Sequence, residues 1–214
     1  EFYGVREYHP TDGLRYIHWA SSARTGRLMV REFERNAVSS VGVIVDADEA
    51  CISGREYWSN LEYQVRAAAS ICRYCSGLYC TFGLALAGAT VDLVRPRLAA
   101  DVQEDVMLAL TRLQPGRSSV TEAAFALTRQ LPRGSMVFCF SLSASDALAA
   151  EMEVIARQGM RVRWYCAERE AFTGDGGSLT AAPKGAHEYR KGSGKARFAA
   201  AQLRPGMRLE EALA

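Results

Sequence analysis

No stretch of the 214 residues approaches the roughly 20 consecutive apolar residues that a bilayer-spanning helix needs. The opening residues Glu1, Phe2 and Tyr3 are not followed by the charged and apolar regions of a signal peptide, so the expectation is a soluble piece of something longer. Histidine is scarce. Any Ser/His/Asp or Cys/His catalytic set would have to recruit His9, His18 or His187, and no Gly-x-Ser-x-Gly nucleophile elbow occurs. No G-x4-G-K-[ST] phosphate loop is found either, which assigns any ATPase activity to a partner. Lysine is just as scarce, 3 against 23 arginines, a bias that a GC-rich genome produces as readily as anion recognition does. Six cysteines are too few, and sit in segments too apolar, for a secreted disulfide scaffold, so a reducing compartment fits better.

The chain is 49% hydrophobic, enough to bury a full core in one α/β domain with additions. Its net charge of +2 draws it to neither nucleic acid nor anionic lipid, but the charge is unevenly spread. Residues 183–208 hold seven basic side chains and one acid, Glu188, a local net of +6. Short strands or a hairpin are expected over residues 15–19 and 28–33. Val41-Gly-Val-Ile-Val45 is a continuous apolar run ending at Asp46, the pattern of a strand buried on both faces of a parallel sheet.

A helix is predicted over 59–77, where Leu61, Val65, Ala68, Ala69 and Cys72 recur at three- and four-residue spacing. Ser59 or Asn60 is its cap and Gly77 its stop. Strands over 79–87 and 91–94, helices over 99–113 and 119–130, a strand over 135–142, a helix over 144–158 and a strand over 160–166 follow. The alternation predicts an α/β fold with a doubly wound, mostly parallel sheet. From about Glu170 onward the pattern dissolves into a Gly-rich basic segment that ends in a short helix over 209–214. Three parts are therefore expected: a β-rich extension at 1–36, the α/β domain at 37–169 and the basic segment at 170–214.

The first thirty-odd residues carry the most specific signal. Arg6-Glu7-Tyr8, then Pro10-Thr-Asp12, Arg15-Tyr-Ile17-His18-Trp19, Ser22-Ala23-Arg24 and Val30-Arg31-Glu32-Phe33 resemble, in order and spacing, the signature of the bacterial domain-of-unknown-function 58 family. Thr11 and Ala20 depart from it, standing where a turn glycine and a lysine are usual. The resemblance implies a von Willebrand factor A-like, Rossmann-like domain with no established catalytic activity. It also implies a protein partner, a MoxR-type AAA+ ATPase, and a possible membrane anchor upstream that would tether the domain on the cytoplasmic side of the inner membrane. The signature charges Arg6, Glu7, Asp12, Arg15, Arg24, Arg31 and Glu32 have two readings, a paired network fastening the strands with Tyr8, Ile17 and Trp19 packed beneath, or a docking face.

A von Willebrand A domain holds Mg²⁺ in an Asp-x-Ser-x-Ser loop helped by two other loops, and hard cations favour such oxygen ligands. Here the loop reads Asp46-Ala-Asp48-Glu49-Ala50, so the first ligand is kept and both serines are lost. Asp46, Asp48, Ser119 and Asp146 are the candidate ligands for Mg²⁺ or another divalent cation, with Ser118, Thr121, Ser141 and Ser143 nearby in sequence. Plain turn and cap roles explain the same residues, and a degenerate site is the favoured expectation. The spacing Cys72, Cys75, Cys80 invites a zinc reading that the helical and apolar context opposes. The expected function is therefore a non-enzymatic adaptor. The alternatives are a metal-dependent hydrolase using Asp46, Asp48 and Glu49, or nucleic-acid or acidic-lipid binding through the basic tail. Tyr189 and Phe198 alone give that tail too thin a stacking platform, so nucleic acid is not the expected partner.

Overall fold

The structure, a computed structural model, describes residues 2–9, 16–33, 40–173 and 200–204. The chain divides into two compact units, Glu1–Ala37 and Val38–Ala214.

In the first unit, strand β1 (Phe2–Glu7) pairs antiparallel with β2 (Met29–Phe33), Glu7 opposite Met29 and Arg6 opposite Val30, with a bulge between Phe2 and Gly4. Helix α1 (Trp19–Thr25) lies between them in sequence. The strand expected over 15–19 is therefore corrected. Among its described residues only Ile17 makes a β-bridge, to Val30, and Trp19 opens a helix. The cause is local polar chemistry. His18 Nδ1 accepts the Ser21 N–H as an N-cap, Ser22 Oγ donates to the His18 carbonyl and accepts the Met29 N–H, and Gly26 ends the helix at φ 69°. Trp19 is not packed beneath the strands either, being 68% exposed.

The second unit is a six-stranded sheet with helices on both faces. Its strands are β3 (Ser40–Asp46), β4 (Thr81–Ala87), β5 (Val91–Leu98), β6 (Met136–Ser141), β7 (Arg161–Cys166) and β8 (Ala201–Gln202), in spatial order β5-β4-β3-β6-β7-β8. All neighbours are parallel except β4 and β5, which form a hairpin, so the predicted α/β, mostly parallel sheet is present. Helices α2 (Asn60–Ser76) and α3 (Ala99–Arg112) cover one face, and α4 (Val120–Thr128) and α5 (Asp146–Arg157) the other.

Strand β3 shows why the sequence supports two faces. Val41, Val43 and Val45 join the core formed with Ala68, Ile71 and Cys72 of α2 and Val102 and Val106 of α3, while Ile44 joins that of Leu127, Leu148 and Met152. Gly42 and Gly83 stand opposite each other on β3 and β4, and a Cβ on either would meet the side chain of Leu127, so these glycines let α4 lie close to the sheet.

Helix α2 has the predicted ends, with Ser59 capping the Glu62 N–H and Gly77 following its last turn, but it is rotated from the expected apolar ridge. Leu61 and Val65 are only half-buried, whereas Asn60 and Gln64 are fully buried. Past β7, Phe172 is buried in the core, and Leu203 returns beside β7 with its N–H on the Cys166 carbonyl. The rest of the basic segment, residues 174–199, and the expected helix over 209–214 lie outside the described residues.

Candidate functional site

The strand order places β3 and β6 side by side at the centre, where connections leave in opposite directions and the crevice at the strands' C-terminal ends is the usual ligand position of doubly wound sheets. Asp46 sits there, at the end of β3, only 3% exposed. One carboxylate oxygen accepts the Asp48 N–H at 3.1 Å, and the other reaches across to β6 and accepts the Leu142 N–H at 3.1 Å. Burial pushes the Asp46 carboxyl above the usual aspartate range, the two N–H groups oppose this, and the Asp48 charge adds to it.

The other candidate ligands are engaged locally. Asp48 caps the 3-10 turn Glu49–Cys51 by accepting the Ala50 N–H at 3.0 Å, and its second oxygen accepts the Cys51 thiol at 3.6 Å. Ser119 caps α4 by accepting the Glu122 N–H, and its hydroxyl meets that of Thr121 at 2.6 Å. Asp146 lies exposed in the first turn of α5, behind the cap Ser145. Glu49 pairs with Arg117 at 2.8 Å. No three His, Cys, Asp or Glu side chains gather to hold a metal among the described residues, so Asp46, Asp48 and Asp146 do not form a three-acid cation site. The residues present do not fit the adhesion-type Mg²⁺ site that the fold implies. The thiols of Cys72, Cys75 and Cys80 lie within the apolar core between α2 and β4.

Two polar residues organise this rim: Asn60, read in the sequence only as a candidate helix cap, and Gln64, missed there. Asn60 takes the Ser53 N–H on its oxygen and donates to the carbonyls of Cys51 and Ala167, tying the loop after β3 to the end of β7. Gln64, one turn on, donates to the Ser141 carbonyl at 2.7 Å. Trp164 Nε1 donates to the Ser141 hydroxyl at 2.9 Å. The signal was available: Asn60 and Gln64 are an i, i+4 polar pair on the same helical face as Ala67, Ala68 and Ile71.

The loop following β3 also displays two aromatic residues. Tyr57 and Trp58 are 55% and 48% exposed, their rings packed edge to face at 5.2 Å. The Arg66 guanidinium lies 3.8 Å from the Tyr57 ring centroid and 5.3 Å from that of Tyr63, and donates to the Tyr57 carbonyl. Gly54 at φ 87° and Glu56 at φ 45° shape the loop, and a non-glycine residue in that region costs about 1 kcal/mol or more.

In the first unit Glu7 pairs with Arg27 at 3.4 Å, Arg6 donates to the Glu7 carbonyl, the Tyr8 N–H bonds the Leu28 carbonyl and Arg24 lies exposed at the end of α1. Asp12 and Arg15 lie outside the described residues, as do the side chains of Arg31 and Glu32.

The strand order, the single antiparallel neighbour at one edge and the aspartate closing the first central strand define a von Willebrand A-like, doubly wound α/β domain. The chain belongs to the family described as Protein of unknown function DUF58, whose profile matches residues 4–163. No curated protein matches it in sequence. Among solved structures it is similar to BatB from Bacteroides thetaiotaomicron, a conserved hypothetical protein, at 14% identity and a TM-score of 0.46, over 58% of this chain and 64% of that one. It is also similar to the VWA domain of SpRpn10, at 12% identity and a TM-score of 0.48, over 61% of this chain and 76% of that one. An aerotolerance-related membrane protein from Bacteroides fragilis NCTC 9343 aligns at 9% identity and a TM-score of 0.45, over 76% and 81%. No helix among the described residues is long and apolar enough to cross a membrane.

Proposed function

We propose that this chain is a protein-interaction module that offers the loops at the C-terminal ends of its strands to a protein partner, a MoxR-type AAA+ ATPase, from the cytoplasmic side of the inner membrane. The observation that carries the reading is the loop after β3. It is pinned by Asn60 and by the Asp48 cap, strained at Glu56, and displays Tyr57 and Trp58 beside Arg66. Trp, Tyr and Arg are the residue types that dominate binding energy at interfaces, and rigid aromatics lose little entropy on binding. The contact is placed on Tyr57 and Trp58 because they are exposed, whereas Asp46 at the same rim is buried.

The adaptor reading is preferred to the hydrolase alternative because Asp46 and Asp48 accept loop N–H groups and Glu49 pairs with Arg117. Binding of nucleic acid or lipid by the basic tail concerns residues mostly outside those described. Calorimetry of the purified chain against the purified MoxR-type ATPase of the same genome tests the proposal. Saturable binding weakened at least about tenfold by Trp58→Ala is the expected result for a hot-spot aromatic. Equal binding by wild type and Trp58→Ala removes the rim as the contact, and no binding at all removes this partner.

A further inference from the structure

We infer that the Asp46 carboxylate is a built-in cross-link that does the structural work of a cation, so that the rim of this domain is assembled without metal. A cation at the end of a central strand ties together loops from separate strands by drawing their oxygens to one point. Here the carboxylate ties the same kind of loops directly. One oxygen closes the Asp46–Asp48 turn and the other holds the amide of Leu142, 96 positions on, at the end of the neighbouring strand. Each oxygen already accepts one N–H within a 3% exposed side chain, so a metal there would have to share the remaining lone pairs with the bonds that hold the loops.

The positions that carry the loop's other two ligands in von Willebrand A domains have been turned to the same end. Asp48 folds back on the Ala50 N–H, and Ala50 has no oxygen in its side chain. The one unpartnered buried oxygen in this region, Gln64 Oε1, does not complete a ligand set with Asp46. Gln64 bonds the Ser141 carbonyl and Asp46 the Leu142 N–H of the same peptide group, and in a trans peptide these point in opposite directions. The backbone reinforces the arrangement, with Gly116 N–H on the Ala47 carbonyl and Glu49 N–H on the Gly116 carbonyl, so the loop before α4 is strapped to the loop after β3 without any ligand.

The inference holds whether or not this rim is the partner's contact, and it is read on the chain alone. Amide hydrogen exchange of the wild-type chain in chelator should show Leu142 and Asp48 protected, with no added protection in millimolar Mg²⁺, Mn²⁺ or Ca²⁺. Fast exchange in chelator that becomes slow only with one of these cations overturns the inference. In thermal unfolding with chelator, Asp46→Ala should melt lower than wild type by about 4 °C or more, and Asp46→Asn, which keeps one acceptor, should fall between them. An Asp46→Ala chain that melts at or above wild type in chelator, as expected for an acid relieved of an unfilled metal site, also overturns it. Should Asp46→Ala not fold, Asp46→Asn and the wild-type exchange experiment decide the matter.

Discussion

Asp46 and Gln64 grip the two ends of one peptide group, that between Ser141 and Leu142. Asp46 Oδ2 takes its N–H at 3.1 Å and Gln64 Nε2 donates to its C=O at 2.7 Å. All of Gln64, Ser141 and Leu142 are at or near zero exposure, so water replaces neither bond if one is lost. Bonds that share a peptide group polarise each other, which makes the clamp cooperative.

A double-mutant cycle measures that cooperation. Gln64→Met keeps most of the volume and removes the donor, leaving the Ser141 carbonyl to the Ala167 N–H, at a cost of about 0.5–1.5 kcal/mol. The loss is expected toward the lower end, because the unpartnered Gln64 Oε1 disappears with it. Combined with Asp46→Ala, the two losses should be less than additive by about 0.5 kcal/mol or more in chemical denaturation, as residues sharing one network are. Additivity would show that the peptide is fixed by the sheet alone.

Gly88 and Gly116 lock the loops of the rim at a separate point. A Cβ on Gly88 would meet the Gln114 carbonyl oxygen, and one on Gly116 would meet the Cα of Ala89, both of them backbone. Gly88→Ala and Gly116→Ala should each destabilise the chain by about 1–3 kcal/mol or more, since backbone cannot move aside as a side chain can. Gly134→Ala is the control for φ: its Cβ meets nothing within 4 Å, and only the φ of 84° is strained. Denaturation midpoints that fall no further for Gly88→Ala than for Gly134→Ala would contradict the interlock.

How much of this was legible in the sequence depended on whether apolar pattern or polar detail carried the structure. The run from Val41 to Val45, the capped helix from Ser59 to Gly77 and the alternation after it were readable because burial on both faces of a sheet leaves near-continuous apolar segments. What failed was decided by hydrogen bonds. Residues 15–19 look β-prone, yet the His18–Ser21 cap and the Ser22 ties start a helix at Trp19. The phase of α2 was misread because Asn60 and Gln64 are polar but face inward, each with a backbone carbonyl to meet. Asp46 could be placed at the strand end from its sequence, but not its bond to the Leu142 N–H, whose geometry is set by the pairing of β3 with β6.

The six cysteines give a prediction about accessibility. All are free, Cys51 is half-buried and the other five are buried. Burial pushes the Cys72 thiol up to about 11 and the Cys166 thiol up to about 12, while a hydrogen bond with Cys80 and burial push Cys75 up as well. Burial shuts the other five away from reagent, Cys80 included although its hydrogen bond with Cys75 lowers its thiol. Native alkylation near pH 8 should therefore label Cys51 alone, slowly because burial and the neighbouring Asp48 raise that thiol. The remaining five should react only after denaturant is added, with mass spectrometry as the readout. Labelling of Cys72, Cys75 and Cys80 at the rate of Cys51 would place that cluster outside the core.

Asp46 also sets a pH dependence of unusual sign. Its carboxyl is raised by burial, despite the opposing Leu142 and Asp48 N–H groups, so the native chain holds that proton more tightly than the unfolded chain. Between the unfolded aspartate value, about 3.9, and the raised native value, the native state binds more protons, and stability contributed by Asp46 therefore increases as pH falls through this window. It levels off below the unfolded value. Above the native value, ionised Asp46 carries its full burial cost, which is the cost of holding the rim with an internal carboxylate. Asparagine at this position does not titrate. The stability difference between wild type and Asp46→Asn, followed by denaturant unfolding from neutral pH to about pH 4, should shift in favour of wild type on acidification. A difference that moves against wild type would mean that the two N–H bonds outweigh burial in setting the Asp46 carboxyl.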